Sequence, residues 1–382
     1  MNALVIASRF PWPSYTGDRM RASIWLDALA PHGRVALVAP QGEVPEHAPA
    51  IRYFPAKRSL AAGVRGAVTV VRRALPVQSL MAAPFAWEQA IQRARGEMGA
   101  FDATIIILSR VAPWVRAEGI RILDSIDSLR RNAEERASAA SPPMRMFWRA
   151  EERRLARLER ELPSAYDHVV VVSEAETGEF GAGAMAIENS VPMLPLDPSA
   201  PRRYDFGFWG RLAYFANADA ARRLLEEIIP AIRERHPSAT FVIGGADAPA
   251  SIKRAAERAG VELQSPIPNV AELARNVRVA IVPTRYGSGQ SSKLLEAGEA
   301  GCAVVASPEA LRGLPRIAPH ATVAAESTSI AAAAVALLRD EPRRQAMAAA
   351  LRHAVEAHHS RDRVMTAMAE LAGVTRAAMV SA

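Results

Sequence analysis

The sequence predicts an α/β protein of two domains, each a parallel sheet with helices on both faces. Three observations support this fold class. The 382 residues exceed what a single hydrophobic core usually serves. Half of the residues are apolar whereas 6% are aromatic, which suits cores built from small aliphatic side chains. Short apolar runs also alternate with helical stretches on both sides of a proline-rich segment.

The first half of the chain contains five short runs whose apolar character is continuous rather than alternating. Strands of a parallel sheet have this character because both faces of the sheet are covered. The predicted strands are 3–7, 35–39, 103–108, 121–123 and 168–172. Helical periodicity predicts helices at 19–30, 86–98 and 144–162, the last with Leu155 and Leu158 along one side.

A proline-rich segment separates the two halves. Proline at every third position from 192 to 201 favours an extended chain and excludes a helix or a central strand. We therefore predict an N-terminal domain (1–190), a linker (191–203), a C-terminal domain (204–358) and a closing helix within 359–382 that packs back towards the first domain.

The pattern of strands and helices restarts after this segment. Strands are predicted at 205–209, 240–243, near 261, 279–283 and 303–306, and helices at 217–235, 249–259, 269–276, 290–300 and onwards to the end. Repeated strand–helix units predict two doubly wound, Rossmann-like domains that face a cleft. Ligands of such sheets bind at the carboxyl ends of the strands.

The net charge of +7 is concentrated in one part of the chain. Residues 51–100 hold eight basic and two acidic side chains, a surplus of six. Within this part, 57–75 reads as a basic amphipathic helix with apolar residues at helical spacing. Such a helix can rest on an anionic membrane surface, and an ordinary surface helix with solvated arginines is the alternative. Nucleic acid is disfavoured because no aromatic residues interleave with the basic ones.

Cysteine and hydropathy indicate a cytoplasmic protein, with a peripheral position on the inner face of the membrane left open. The lone Cys302 cannot form an internal disulfide, and its apolar surroundings favour a small buried residue over a catalytic nucleophile. The first residues read as a strand rather than a signal peptide, and no apolar run has the length of a membrane span. The histidines lack metal-ligand spacing, so no metal site is expected.

The segment 282–301 carries the strongest functional signal. A strand ends there, a loop with Gly287 and Gly289 follows, and a helix begins. Glycines let the backbone approach a ligand, and the free N–H groups of a helix start favour a phosphate. Lys293 adds a positive charge in the first turn, and Glu296 lies on the same face, where it can accept hydrogen bonds from a ribose diol. A glycine-rich turn with a surface Lys–Glu pair is the alternative.

Three further segments place polar residues after predicted strands. Arg211 follows Gly210 at the end of the strand 205–209, where it suits bidentate recognition of a diphosphate. Asp124 and Asp127 follow the strand 121–123 as candidates for a base, an acceptor clamp or metal ligands, and an N-cap role for Asp127 or Ser128 is the alternative. The loop after the first strand is an acceptor or phosphate loop, or a solvated basic tip; its candidate residues are Gly17, Asp18, Arg19 and Arg21.

Taken together, these segments resemble glycosyltransferase family 4 of the GT-B fold, in particular bacterial sugar transferases associated with exopolysaccharide synthesis. The resemblance covers nearly the whole chain, and its most specific element is the run from Gly289 through Lys293-Leu-Leu to Glu296. It also rests on the opening loop, on Asp124 and Asp127, on the run 166–174, and on Gly210, Tyr214 and Asn217.

The resemblance implies a retaining transfer from a nucleoside-diphosphate sugar, without a metal or other cofactor. By this analogy Glu296 holds the ribose, and Lys293 and Arg211 neutralise the diphosphate as catalytic residues. Asp127 is carried over as a contact of the acceptor or the donor sugar. The remaining donor-binding positions are Gly210, Gly287, Gly289, Gln290, Ser291 and Ser292.

Three positions depart from the family pattern. Many members have a glutamate eight residues before the ribose-binding one, where this chain has Ser288. Ile126 precedes Asp127 where many members have histidine, and Ser190 follows Asn189 where glycine is usual. The first two departures concern the donor sugar and the acceptor, and none of the three bears on the fold.

The partners expected are a nucleotide-sugar donor and a glycan, lipid-linked or small-molecule acceptor. Two alternatives stay open besides sugar transfer. One is a nucleotide-sugar 2-epimerase of similar architecture, which needs acid–base carboxylates and histidines in the cleft. The other is a non-catalytic, transferase-like partner in a membrane-associated assembly, which would accord with Ser288 and the basic helix.

Overall fold

The computed structural model describes residues 1–14, 16–181, 183–267, 269–287 and 289–375. Contacts divide the chain into two compact units. The first unit comprises Met1–Glu188 together with the chain from Asp362 onwards, and the second comprises Asn189–Arg361. Each unit contains one parallel sheet with helices packed against it.

The first unit is built on a sheet of seven parallel strands. Its helices are α1 (Gly17–Leu29), α2 (Leu60–Arg72), α3 (Trp87–Met98), α4 (Leu129–Ala139), α5 (Pro142–Glu161) and α6 (Glu174–Phe180). Its strands are β1 (Asn2–Ala7), β2 (Arg34–Pro40), β3 (Arg52–Ala56), β4 (Ala103–Ile107), β5 (Ile120–Ile126), β6 (His168–Val171) and β7 (Ala184–Ala186). Their order across the sheet is β3-β2-β1-β4-β5-β6-β7.

The second unit repeats this plan with six parallel strands. The strands are β8 (Tyr204–Trp209), β9 (Phe241–Gly244), β10 (Glu262–Gln264), β11 (Val277–Val282), β12 (Ala303–Ala306) and β13 (Thr322–Val323), in the order β10-β9-β8-β11-β12-β13. The helices are α7 (Phe215–Arg223), α8 (Ile229–Arg235), α9 (Ala250–Ala259), α10 (Val270–Arg275), α11 (Ser292–Glu299), α12 (Pro308–Leu311), α13 (Ser327–Arg339) and α14 (Glu341–His359). Helix α15 (Arg361–Leu371) follows and, apart from Arg361, belongs to the first unit.

Both sheets reverse their strand order beside the first strand of the unit, as doubly wound sheets do. The central strands are buried along their whole length. This agrees with the burial on both faces that their continuous apolar runs predicted. The doubly wound α/β class is therefore confirmed.

The sequence missed the edge strands β3, β7 and β13. These strands are short and only partly buried, and β3 contains both Arg52 and Pro55. Edge strands pack on fewer neighbours, so their sequences need less apolar character.

One predicted helix has an irregular centre. The helix expected over 217–235 is α7 and α8 joined by a π-helical turn at Leu224–Ile228, and Pro230 follows this turn. Proline donates no backbone hydrogen bond, so the wider turn accommodates it inside an otherwise continuous helix.

The boundary between the units lies at Asn189, ahead of the proline-rich segment that we predicted as a linker. Val191 packs in a core of the second unit, and Arg202 donates to the carbonyl oxygens of Val277 and Ala300. These contacts attach residues 191–203 to the second unit. Helix α15 packs Val364 and Met368 into the core of the first unit.

Cys302 is buried in the second unit. Its sulfur lies 3.1 Å from the carbonyl oxygen of Ala274, and burial raises the pKa of the thiol to about 11. This environment supports the interpretation as a small buried residue. Within the described ranges, no helix has both the length and the apolar character needed to cross a membrane.

Candidate functional site

In the second unit, Lys293 lies against the backbone at the end of β8. Gly210 follows this strand with φ of +146°, and a Cβ built on it would stand 2.8 Å from Cε of Lys293. Only glycine therefore leaves room for the lysine at this place. Nζ of Lys293 also lies 5.7 Å from the ring centroid of Phe208. Lys293 and Gly210, predicted from separate segments, are thus brought together.

Glu296 is held beside the same strand end by Trp209. The buried indole donates from Nε1 to Oε2 of Glu296 at 2.7 Å. Burial raises the pKa of Glu296, while Lys293, the Trp209 bond and Ser292 act in the opposite direction. Burial lowers the pKa of Lys293, and Glu296 opposes that change. The two groups therefore stabilise each other's charged forms in a site that penalises either charge alone.

Arg211 lies next to Gly210 but is engaged with another partner. Its Nε is 2.9 Å from Oδ2 of Asp247, and both side chains are about half exposed. The carbonyl oxygen of Arg211 accepts a hydrogen bond from Nδ2 of Asn217. An exposed pair of this kind contributes only about 0–1 kcal/mol, so a diphosphate can displace the aspartate at little cost.

The residues of the loop before α11 differ in the contacts that their side chains make. The side chain of Gln290 accepts from the backbone N–H of Asn189 at 2.8 Å and donates to the carbonyl oxygen of Gly313 at 3.0 Å. Gln290 thus braces the loop with its side chain. Ser291 stands at the N-cap of α11, where its side chain makes no capping bond and its buried hydroxyl has no partner among the described residues. Ser288 lies outside the described residues.

Gly287 and Gly289 flank that position. Gly287 has φ of +151°, a value that favours glycine, and an added Cβ would meet no neighbouring atom within 4 Å. Ser292 begins α11, and its N–H group belongs to the first turn, which has no intrahelical acceptor. The start of α11, Lys293 and Glu296 together form a place that can receive an anion and a diol.

In the first unit, Arg21 is separated from the other residues of the predicted phosphate loop. Its guanidinium is fully buried, with Nε 2.6 Å from Oδ2 of Asp124, and it donates to the carbonyl oxygens of Ile187 and Glu188. Trp25 donates to the same carboxylate at 2.6 Å. Arg21 and Asp124 thus tie α1 to β5, and the structure does not bring Arg21 to a ligand-accessible surface.

The rest of that loop lies beside a cavity of about 270 Å³. Gly17 begins α1, and the carboxylate of Asp18 accepts a hydrogen bond from Thr16 and lies 3.5 Å from Arg9. Arg19 and Arg9 line the cavity. Arg110, three residues beyond the end of β4, lines it as well.

Sequence reasoning missed Arg9 and Arg110 as members of this group. Both follow a strand of the sheet, β1 and β4 respectively, and these strands are neighbours. The rule that ligands bind at the carboxyl ends of parallel strands was the signal that could have identified them.

Asp127 follows a strained residue at the end of β5. Ile126 has φ of +68°, which is rare for a β-branched residue, and the pairing of β5 with β6 shifts register there. Burial raises the pKa of Asp127 to about 6, although Arg110 acts to lower it. Ser128 provides the N-cap of α4 by accepting from the N–H of Arg131. Capping therefore falls to Ser128, and Asp127 remains available for another role.

Two buried carboxyl groups next to Ser128 were also missed. Glu159 accepts from the hydroxyl of Ser128 at 2.7 Å, and Glu176 accepts from its N–H at 3.4 Å. Burial raises the pKa of Glu159 to about 7 and that of Glu176 to about 9. Neither group shows a sequence pattern, because they come from α5 and α6. Within the described ranges, no group of three or more histidine, cysteine, aspartate or glutamate side chains is placed to hold a metal ion.

Comparisons with known proteins agree with this architecture. Residues 203–340 match the family model described as Glycosyl transferases group 1. A search of curated proteins gives no significant match. Among solved structures, WaaG, a glycosyltransferase involved in lipopolysaccharide biosynthesis, is 17% identical with a TM-score of 0.66, covering 96% of this chain and 99% of WaaG.

Two further structures are similar over almost the whole chain. Sucrose-phosphate synthase from Thermosynechococcus elongatus is 14% identical with a TM-score of 0.73, and the match covers 100% of both chains. HepE from Anabaena, in complex with UDP and glucose, is 14% identical with a TM-score of 0.67, covering 98% of this chain and 100% of HepE. The expected fold is thereby confirmed: the chain has the GT-B fold of these glycosyltransferases, and the part of its second unit from 203 to 340 is similar to the Glycosyl transferases group 1 family.

Proposed function

We propose that the protein transfers a sugar from a nucleoside-diphosphate sugar to a glycan, lipid-linked or small-molecule acceptor, with retention and without a metal or other cofactor. The observation that carries this proposal is the arrangement at the end of β8. Lys293 is packed on Gly210, and Glu296 is fixed by Trp209 at 2.7 Å. A cation and a carboxylate one helical turn apart match the diphosphate and the ribose of one nucleotide.

The leaving diphosphate gains negative charge in the transition state. We propose that this charge is stabilised by Lys293, by the N–H groups at the start of α11 and by Arg211 after its release from Asp247. Fixed donors and cations in a partly desolvated site lower a barrier more than they do in water. These cations supply the neutralisation that a metal ion provides in other transferases, which is the reason for proposing metal independence.

Asp127 is proposed as a contact of the acceptor or the donor sugar. A carboxyl group whose pKa is about 6 can hold or release a proton near neutral pH, as acid–base work at a hydroxyl requires. The similar structure of HepE holds UDP and glucose, which supports a nucleotide-sugar donor. WaaG is involved in lipopolysaccharide biosynthesis, and on this basis we propose a role in polysaccharide assembly.

The proposal is tested with the full chain and a panel of nucleotide sugars, with and without lipid acceptors. We expect release of the nucleoside diphosphate with at least one donor, no loss of rate in EDTA, and a product that keeps the anomeric configuration by NMR. Lys293→Ala should reduce turnover by about tenfold or more with the fold intact. The matched control is Lys253→Ala, which removes an exposed lysine of α9 in the same unit.

Different results would overturn different parts of the proposal. Failure to bind any nucleotide would exclude both the transferase and the epimerase. An epimerised nucleotide sugar would identify the 2-epimerase, and nucleotide binding without turnover would favour the non-catalytic partner. Equal turnover in Lys293→Ala and the parent would remove the lysine from the site.

We further propose that α2 rests on an anionic membrane surface on the cytoplasmic side. Only Gly66 and Val70 of this helix are buried, and Gly66 packs on Ala83. The outward face carries four large apolar side chains, including Leu60 at 92% and Val71 at 80% exposure. The other two are Val64 and Val68, and the exposed arginines Arg65, Arg72 and Arg73 accompany them. An apolar face flanked by cations is what an interfacial helix presents to lipid.

Liposome sedimentation tests this membrane contact. The parent should bind vesicles that contain anionic lipid and should not bind purely zwitterionic ones. Replacing Arg65, Arg72 and Arg73 with glutamate should weaken that binding, and the matched control replaces three exposed arginines of the second unit, Arg222, Arg254 and Arg258. If the parent does not bind anionic vesicles, the membrane proposal fails.

A further inference from the structure

The cavity beside Arg9 and Arg19 in the first unit has a surplus of positive charge. It measures about 270 Å³ and is bordered by three arginines, Arg9, Arg19 and Arg110. Asp18 pairs with Arg9 at 3.5 Å and also acts on Arg110 electrostatically, while neither Arg19 nor Arg110 forms an ion pair in the described ranges. Asp127 also favours the charged form of Arg110, so three arginines face two carboxylates at this cavity.

The guanidinium groups are not fully satisfied by the protein. Nε of Arg19 and Nε of Arg110 are buried and have no hydrogen-bond partner among the described residues. Arg110 donates to the sulfur of Met81 at 3.3 Å, and a thioether is a weak acceptor. A buried donor left without a partner costs free energy that a bound anion would recover. These side chains therefore point to an anionic ligand.

The shape of the cavity adds a second requirement. Its lining also includes the apolar residues Phe10, Met81 and Phe85. The volume of about 270 Å³ far exceeds the roughly 10–15 Å³ that a single water molecule requires in the same measure. A ligand that fills it thus has an anionic group for the arginines and an apolar or ring-shaped part for the aromatic walls. Planar guanidinium groups bind phosphate oxygens in pairs, so phosphate is the anion that they fit best.

We propose that this cavity binds the phosphate group of a phosphorylated acceptor. The inference rests on the proposed function, since it assigns a chemical class to the acceptor of that reaction. Two sources share this chemistry, a sugar phosphate in solution and the phosphate of a lipid-linked acceptor. The segment 81–85, which contributes Met81 and Phe85 to the cavity, does not distinguish between these two sources. The same segment supports α2, because Ser59 donates its N–H to the carbonyl oxygen of Pro84 and Gly66 packs on Ala83. The proposed membrane helix and the cavity therefore share one segment of chain.

Titration calorimetry of the full chain tests the site with two phosphorylated probes and their neutral counterparts. The probes are glucose 6-phosphate and farnesyl phosphate in detergent, and the counterparts are glucose and farnesol. We expect at least one phosphorylated probe to bind, and its counterpart to bind much more weakly. Tighter binding of farnesyl phosphate would indicate a lipid-linked acceptor, and tighter binding of glucose 6-phosphate a soluble one.

Arginine variants locate the binding. Arg110→Gln should weaken binding of the phosphorylated probe about tenfold or more, because a hydrogen bond to a charged group is lost. Arg110→Lys keeps the positive charge but loses the planar pair of donors. Its affinity for the phosphorylated probe should lie between those of the parent and Arg110→Gln. The matched control is Arg52→Gln, an exposed arginine of the same unit paired with Glu97. If Arg110→Gln does not fold, Arg19→Gln takes its place in the comparison.

Two outcomes would overturn the proposal. One is equal affinity for phosphorylated probe and neutral counterpart, or no binding of either. The other is binding that the cavity arginine variants leave unchanged. Nucleotide binding by the parent is measured in parallel. Its absence would overturn the proposed function, whereas its presence together with either outcome above would overturn the acceptor assignment alone.

Discussion

Replacing Glu176 with glutamine should stabilise the protein in a way that depends on pH. Glu176 is fully buried, and burial raises the pKa of its carboxyl from 4.5 to about 9. The folded chain therefore holds a proton at pH 7 that the unfolded chain releases. That difference costs about 1.4 kcal/mol for each of the roughly 2.5 pH units between 4.5 and 7, on the order of 3 kcal/mol in total.

The pH window of this effect follows from the two pKa values. Below pH 4.5 the carboxyl is protonated in both states, and its contribution to stability is fully present. As the pH rises from there to about 9, that contribution is lost, because unfolding releases the proton more and more readily. Glutamine is neutral throughout and keeps the oxygen that accepts from the N–H of Ser128. The advantage of Glu176→Gln over the parent should therefore grow with pH.

Thermal unfolding of parent and variant at pH 5 and pH 8 measures this advantage. The control is Glu174→Gln, which changes an exposed glutamate on the same helix, α6, and should show no such growth with pH. The difference in unfolding midpoint temperature between Glu176→Gln and the parent should be larger at pH 8 than at pH 5. An equal difference at the two pH values would refute the reasoning. So would a variant that is less stable than the parent at pH 8.

Three other changes test the sites directly. Gly210→Ala should weaken nucleotide binding about tenfold, because the added Cβ would stand 2.8 Å from Cε of Lys293. Titration calorimetry measures the affinity. The control Gly178→Ala should bind nucleotide as the parent does, because no described atom lies within 4 Å of its added Cβ. Arg21→Ala should lower the free energy of unfolding by about 3–5 kcal/mol, because it leaves the buried carboxylate of Asp124 without its cation. Urea denaturation measures this loss, and a loss below about 1 kcal/mol would contradict the buried pair. The pH profile of kcat/KM should fall below pH about 6 as Asp127 takes up a proton, and a profile unchanged in Asp127→Asn would remove this residue from the reaction.

The fold could be predicted from the sequence because the central strands of both sheets are buried on both faces. Runs such as 103–107 and 303–306 are continuous apolar segments, and this local property requires no knowledge of the neighbouring strands. The boundary between the units was harder to predict. Proline spacing excluded a helix or a central strand from the segment, but only distant contacts, such as those of Arg202, attach it to the second unit.

The candidate sites show the same division between local and distant information. Lys293 and Glu296 lie on one turn of one helix, so their spacing alone predicted a shared face. Trp209, which fixes Glu296, lies 87 residues away along the chain, and no spacing rule connects the two. Arg21 shows the opposite failure. Its position near a helix start indicated an anion in solution, whereas its partner is the buried carboxylate of Asp124, 103 residues further on.

The two candidate anion sites differ in how their charge is balanced before a ligand arrives. Lys293 has Glu296 beside it, and each group reduces the effect of burial on the pKa of the other. The cavity of the first unit instead has three arginines, Arg9, Arg19 and Arg110, against two carboxylates, Asp18 and Asp127. An anion entering the cavity therefore relieves an existing excess of positive charge, whereas a diphosphate at Lys293 has to share the lysine with a carboxylate. Binding in the cavity should consequently depend more steeply on ionic strength than nucleotide binding, since its favourable energy is mainly the neutralisation of unpaired charge.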